Sequence, residues 1–164
     1  MEELIYMDYK YFHDSIKNMI EKMAYDFYVI KPFMNITCPC VNAASEQANP
    51  DCHMCLGTGH KIAIKKIRGA SNDVESNVSG KSVKGSSAVT VGRTYFVDKK
   101  YSLGNNDIII DGDEILYVYR AYRMKAFNGE HTHDEVQAIP KRNDHEKILK
   151  NFKKIIEKHK QQNK

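Results

Sequence analysis

All four cysteines of this chain fall between residues 38 and 55, in the pattern C-x-C, eleven residues, then C-x-x-C-x-G-x-G-H. Thiolates are soft, charged donors, and four of them brought to one point form a closed tetrahedral set suited to zinc. Cys38, Cys40, Cys52 and Cys55 are therefore the candidate ligands of one structural Zn2+ site, with His53 and His60 as reserve ligands. Cys52-His53-Met54-Cys55 has the spacing that places two thiols on one tight turn. Gly57 and Gly59 follow, and glycine takes the positive φ that leads the chain away from an ion. Cys38-Pro39-Cys40 is tighter, and in an extended segment its two thiols share a face. Free buried thiols and two disulfides are the other readings of the same residues. Disulfides require an oxidising compartment, and Met1-Glu2-Glu3-Leu4-Ile5 has neither the basic region nor the apolar run of a signal peptide.

Reactive groups elsewhere are few. His131-Thr132-His133-Asp134-Glu135 puts two imidazoles on one face of a strand, where they could bind a metal or exchange protons. The same residues follow a turn, where polar side chains serve solubility alone. Asp111, Asp113 and Glu114 suit a hairpin turn. No P-loop, GxSxG, HExxH or dinucleotide fingerprint is present. A site closed by four thiolates keeps no open coordination position, so the expected role is structural and the chain is read as a non-enzyme.

These residues need elements to hold them. The 164 residues suit one domain, 1–164, and 41% hydrophobic with 28% charged content favours folding over disorder. An amphipathic helix is expected over 8–27, capped by Asp8, with Phe12, Ile16, Met19, Ile20, Met23, Ala24 and Phe27 facing the core. Tyr28-Val29-Ile30 begins an extended segment, and Pro32 forbids the helix from continuing. Residues 61–67 alternate Ile62 and Ile64 with Lys61 and Lys65, so the excursion at 37–60 should lie between two strands. Residues 69–87, with three Gly and six Ser, read as a long flexible loop.

From 88 to 140 strand signals recur, broken by Asp111-Gly112 and Asn128-Gly129 turns. A helix over 142–160 follows Pro140, with Asn143 and Glu146 resembling a capping box. The fold class is α+β, mainly β: a small, strongly bent sheet or β-barrel with a helix at each end.

Charge is uneven. Residues 141–164 carry nine Lys or Arg and three Asp or Glu, a net +6 within a total of +4, so residues 1–140 carry −2. The basic C-terminal helix is either a solvated face or a surface for nucleic acid or an acidic protein. No stretch approaches the roughly 20 apolar residues that span a bilayer, so no membrane partner is expected.

Two stretches together resemble a family. Thr37-Cys38-Pro39-Cys40 with Asn49-Pro50-Asp51-Cys52-His53-Met54-Cys55-Leu56-Gly57-Thr58-Gly59-His60 is similar to the cysteine knuckle of some neck proteins of tailed bacteriophages. The segment from Asn106 to Val118, a strand, an Asp-Gly turn and a strand, resembles head-completion or stopper proteins. C-x-x-C-x-G-x-G also occurs in DnaJ-type zinc domains, where it repeats; here it occurs once. The resemblance implies a ring of β-barrel subunits, a hexamer or dodecamer, forming the head–tail connector of a virion assembled in the bacterial host cytoplasm. Its partners would be copies of itself, a portal or adaptor protein, and a tail-terminator or tube protein, with transient contact to genomic DNA. In that family, loops line the DNA channel; residues 69–87 would do so here, with Lys81 and Lys84 meeting phosphates. The alternative from another class is a zinc-ribbon nucleic-acid-binding protein using the basic C-terminal helix.

Overall fold

The computed structural model describes residues 11, 14, 15, 17–76, 90–125, 129, 131–140 and 145–162. Six strands close into an antiparallel barrel: β1 (Tyr25–Thr37), β2 (His60–Ser76), β3 (Thr90–Asp98), β4 (Ile108–Asp111), β5 (Glu114–Lys125) and β6 (His131–Pro140). Their order around the barrel is β1-β2-β3-β6-β5-β4. Residues 11, 14, 15 and 17–23 are helical and form α1, and α2 spans His145–Gln162. The expected mainly-β fold with terminal helices is the observed one. Among the described residues no helix is long and apolar enough to cross a membrane.

The chain divides into two compact units. The first comprises Met1–Phe27, Lys66–Asn105 and Val118–Ile139. Its interior contains Phe27, Ala70, Tyr95, Val97, Val136 and Ala138, all buried, with the Phe27 and Tyr95 rings 4.9 Å apart. The second comprises Tyr28–Lys65, Asn106–Tyr117 and Pro140–Lys164. Its core joins Ile30 of β1, Ile108 and Ile110 of β4, Ile115 of β5, and Ile148 and Phe152 of α2 around Leu56.

Three boundaries differ from the sequence expectation. The N-terminal helix stops at Met23, and Tyr25-Asp26-Phe27 already belongs to β1. Helical periodicity carried through Phe27, but that ring buries better as a strand residue against Tyr95, while Tyr25 hydrogen-bonds Ser71 at 2.7 Å. The stripe expected in the core is only partly buried where it is described: Met19 and Met23 are 54% and 59% exposed, Ile20 and Ala24 are half-buried, and Phe27 is buried as part of β1. Asp8, Phe12 and Ile16 lie outside the described residues.

The long loop is the second difference. Residues 69–76 are strand, paired from Gly69↔Val97 to Ser76↔Thr90. Composition concealed this because Ser and Asn are poor strand formers, and cross-strand partners override that preference. The Asp73 carboxylate, for example, accepts from Arg93 Nε at 2.7 Å. The remainder of the expected loop, with Lys81 and Lys84, lies outside the described residues. Third, α2 is displaced by two or three residues to His145–Gln162; Asn143 of the expected capping box is also outside them.

Gly69 makes the long hairpin possible. A Cβ there would stand 2.7 Å from the Phe96 carbonyl oxygen, 2.8 Å from Val97 Cγ1 and 3.3 Å from the Phe27 ring. The first contact is backbone and cannot rotate away. Gly69→Ala should therefore cost about 1–3 kcal/mol, the usual range for overpacking, read as a lower denaturant midpoint at unchanged slope.

Candidate metal centre

The cysteine excursion occupies the connection between β1 and β2, as its flanking patterns implied. Its base is closed by the Cys38 N–H donating to the Gly59 carbonyl at 2.8 Å, which continues the strand geometry to the first ligand. The second pair sits on a turn prepared by Asn49, whose side-chain oxygen accepts from the Asp51 N–H at 2.9 Å, while its carbonyl accepts from Cys52 N–H at 3.1 Å. Leu56 N–H then donates to the Cys52 carbonyl at 2.9 Å, and Thr58 caps the Cys55 carbonyl with both N–H and hydroxyl. Gly57 and Gly59 both have φ +77, and a Cβ on Gly57 would meet the Pro50 carbonyl at 3.3 Å. The glycines of the motif are thus backbone requirements of the turn.

This folding gathers all four thiols. The sulfurs of Cys38, Cys40, Cys52 and Cys55 lie within 4.8 Å of one another, with Cys38–Cys52 at 3.9 Å and Cys40–Cys55 at 3.5 Å. A disulfide needs about 2.05 Å, and all four cysteines are free. A tetrahedral ion with metal–sulfur bonds of about 2.3 Å sets its sulfurs roughly 3.8 Å apart, so the four fit such an ion. Cys38, Cys52 and Cys55 are buried and Cys40 is partly so. Neither reserve histidine belongs to the group: His53 is exposed, and the buried His60 Nδ1 has no hydrogen-bond partner among the described residues.

Electrostatics explain why the cluster suits a cation. Burial raises the Cys52 pKa, but the N–H groups of Cys55 and Met54 aimed at its sulfur outweigh that, and the thiol is held down to about 7. Burial dominates at Cys55 and pushes it up to about 12 against the Gly59 N–H. At Cys38 the Cys40 N–H favours the thiolate, yet burial and the Cys40 and Cys52 thiols leave its pKa raised. A bound cation must displace these protons, and displacement grows harder as pH falls. Affinity for Zn2+ should accordingly weaken from about pH 8 to pH 6, most steeply once Cys52 also protonates below about 7, as a chelator-competition titration would read.

The clasp is not an isolated loop. Leu56, immediately after the last ligand, is 1% exposed and sits in the core with Ile108, Ile110, Ile115, Ile148 and Phe152. Asp51, immediately before Cys52, meets α2 twice: Lys147 Nζ approaches its carboxylate at 3.4 Å, and Asn151 donates to its carbonyl at 3.4 Å. Leu56, Asp51 and Asn151 had no individual role in the sequence expectation. The apolar residue trapped between Cys55 and Gly57 was the available signal for Leu56; Asn151 carried none.

The two histidines of β6 have different partners. His131 Nε2 lies 2.7 Å from the buried Asp134 carboxylate, whereas His133 Nδ1 is 2.9 Å from the Thr132 hydroxyl and its ring faces Phe96. Each imidazole thus has a local partner of its own.

No protein-family model matches this chain, and no curated protein matches it.

Proposed function

We propose that the chain is a structural, non-enzymatic subunit of a tailed-bacteriophage neck, a β-barrel whose zinc clasp anchors its C-terminal helix. In this reading copies assemble as a ring joining portal to tail and help retain and pass DNA. The observation that carries it is the packing of Leu56. The clasp and the Asp111-Gly112 hairpin are the two stretches that bear the resemblance to neck proteins, and Leu56 of the clasp packs on Ile108, Ile110 and Ile115 of that hairpin. Gly112 has φ +61, as the first central residue of a type II′ turn requires, and Asp111↔Glu114 closes the ladder.

Zinc is the ion of choice because four thiolates in a tetrahedral set favour it over harder cations. All four positions are filled by protein, which supports a structural role. A closed barrel has no strand edge to lend, so ring contacts would use side-chain faces and terminal elements. Sedimentation of the purified protein, alone and with a portal ring, tests this. A hexamer or dodecamer, or co-sedimentation with the portal, is expected; a monomer under both conditions overturns it.

One observation favours the nucleic-acid reading as a second possibility. Lys147 and Lys153 of α2 are paired with Asp51 and Asp113, but Lys150, Lys154 and Lys158 succeed one another at four-residue spacing on an exposed face. Like charges so placed repel by a few tenths of a kcal/mol per pair, and an anionic partner relieves them. That reading requires salt-sensitive duplex or single-strand binding by the monomer that is lost when these three lysines become glutamate.

A further inference from the structure

In the first unit, β3, β6 and β5 are successive neighbours, and their side chains alternate between two faces. Tyr95 and Val97, Val136 and Ala138, and Val118 are buried on the inner face. By that alternation Phe96 on β3, His133 on β6, and Tyr119, Arg123 and Lys125 on β5 share the outer face; Arg120, Tyr122 and Met124 of β5 are exposed as well. The ladder pairs Phe96 with Glu135 and Asp98 with His133, and the Phe96 and His133 rings lie 6.2 Å apart. The Tyr119 hydroxyl donates to Gln137 Oε1 at 2.9 Å, which places its ring on that same outer face. Tyr119 is 37% exposed, and Arg123 and Lys125 are exposed beyond it.

The face thus presents three rings across three strands and two cations at one end. Two carboxylates share that face. Asp98 accepts from the Lys100 N–H at 2.9 Å and lies 3.7 Å from its amine, and Glu135 stands at the level of the rings, opposite Phe96. Of these rings Tyr119 is exposed, and Phe96 and His133 are half-buried beside one another, outside the filled barrel core. Aromatic platforms flanked by cations stack unpaired bases and neutralise the phosphates between them. Bases in a duplex are stacked on each other and cannot reach such rings.

We propose that this outer face of β3, β6 and β5 binds single-stranded nucleic acid, stacking bases on Tyr119, His133 and Phe96 and holding phosphates with Arg123 and Lys125. The inference does not rest on the neck reading, and it uses neither the clasp nor the lysines of α2.

The test is fluorescence anisotropy of the full chain with a labelled oligothymidylate and with a duplex of equal length, over a series of salt concentrations. The single strand should bind more tightly than the duplex, and more weakly as salt rises. Arg123→Glu with Lys125→Glu should weaken binding at least about tenfold and flatten the logarithmic salt slope by roughly 1.4, about 0.7 for each lost contact. Tyr119→Ala should weaken it about five- to a hundredfold without changing that slope, whereas Tyr119→Phe, which keeps the ring, should retain it. Replacing Lys150, Lys154 and Lys158 by alanine should leave it unchanged. Absence of single-strand binding at low salt overturns the proposal. So does binding insensitive to the Tyr119, Arg123 and Lys125 changes, or a duplex preference that disappears with the α2 lysines.

Discussion

Cys52→Ser combined with Cys55→Ser should abolish zinc binding and, with it, the seating of the C-terminal helix. Structural zinc in small peptides supplies on the order of 10–16 kcal/mol of apparent folding energy, far above any contact within residues 38–60. Loss of the ion leaves a cluster of buried thiols whose turn is held by a few backbone hydrogen bonds. Leu56 follows Cys55 directly, so a released turn withdraws Leu56 from the core; deleting a comparable buried leucine costs about 2–5 kcal/mol. Asp51 precedes Cys52, so its two contacts to α2 loosen as well. Wild-type protein should contain about one zinc per chain, and the variant none. Hydrogen exchange should show faster exchange both in the clasp and along α2. A metal-free wild type with full protection in both would refute the coupling.

Phe152→Ala should be the most damaging single change in the second unit. Its ring is 5% exposed and meets Tyr28 edge-on at 5.1 Å, within the cluster that contains Leu56 and the β4–β5 isoleucines. Truncating a buried phenylalanine costs about 3–5 kcal/mol, a large part of a typical domain's stability. Lys154→Ala, two residues away and exposed, should stay within about 0.5 kcal/mol. Urea unfolding of the two variants gives the comparison. Because Phe152 and Leu56 share a core, Phe152→Ala should also weaken zinc retention against a chelator, which Lys154→Ala should not. A loss below about 1 kcal/mol would mean that α2 is not packed in solution as described.

Local patterns carried the clasp and the hairpin because each is specified by neighbours in sequence. Two thiols on one turn, glycines at the positive-φ positions and an Asp-Gly pair between apolar runs act over a few residues. The strand nature of Ser71, Asn72 and Asp73 was not legible in this way. It depends on β3, which begins at Thr90, and on Arg93 reaching Asp73 across the ladder. Phe27 illustrates the opposite error, since it satisfied a helical period in the sequence but is buried as a strand residue against Tyr95, 68 positions away.

The sequence by itself determined that four thiols would meet between two strands, that an Asp-Gly hairpin would form, and that a basic amphipathic helix would end the fold. Those features follow from residue type and short-range spacing, where steric and coordination preferences act directly. Tertiary structure alone decided how they combine: that the strands close into a barrel, that Leu56 carries the clasp into the core of the hairpin and α2, and that Asp51 receives that helix. Such contacts join residues about 50 to 100 positions apart, and their free energy comes from apolar area removed from water, which no local pattern encodes.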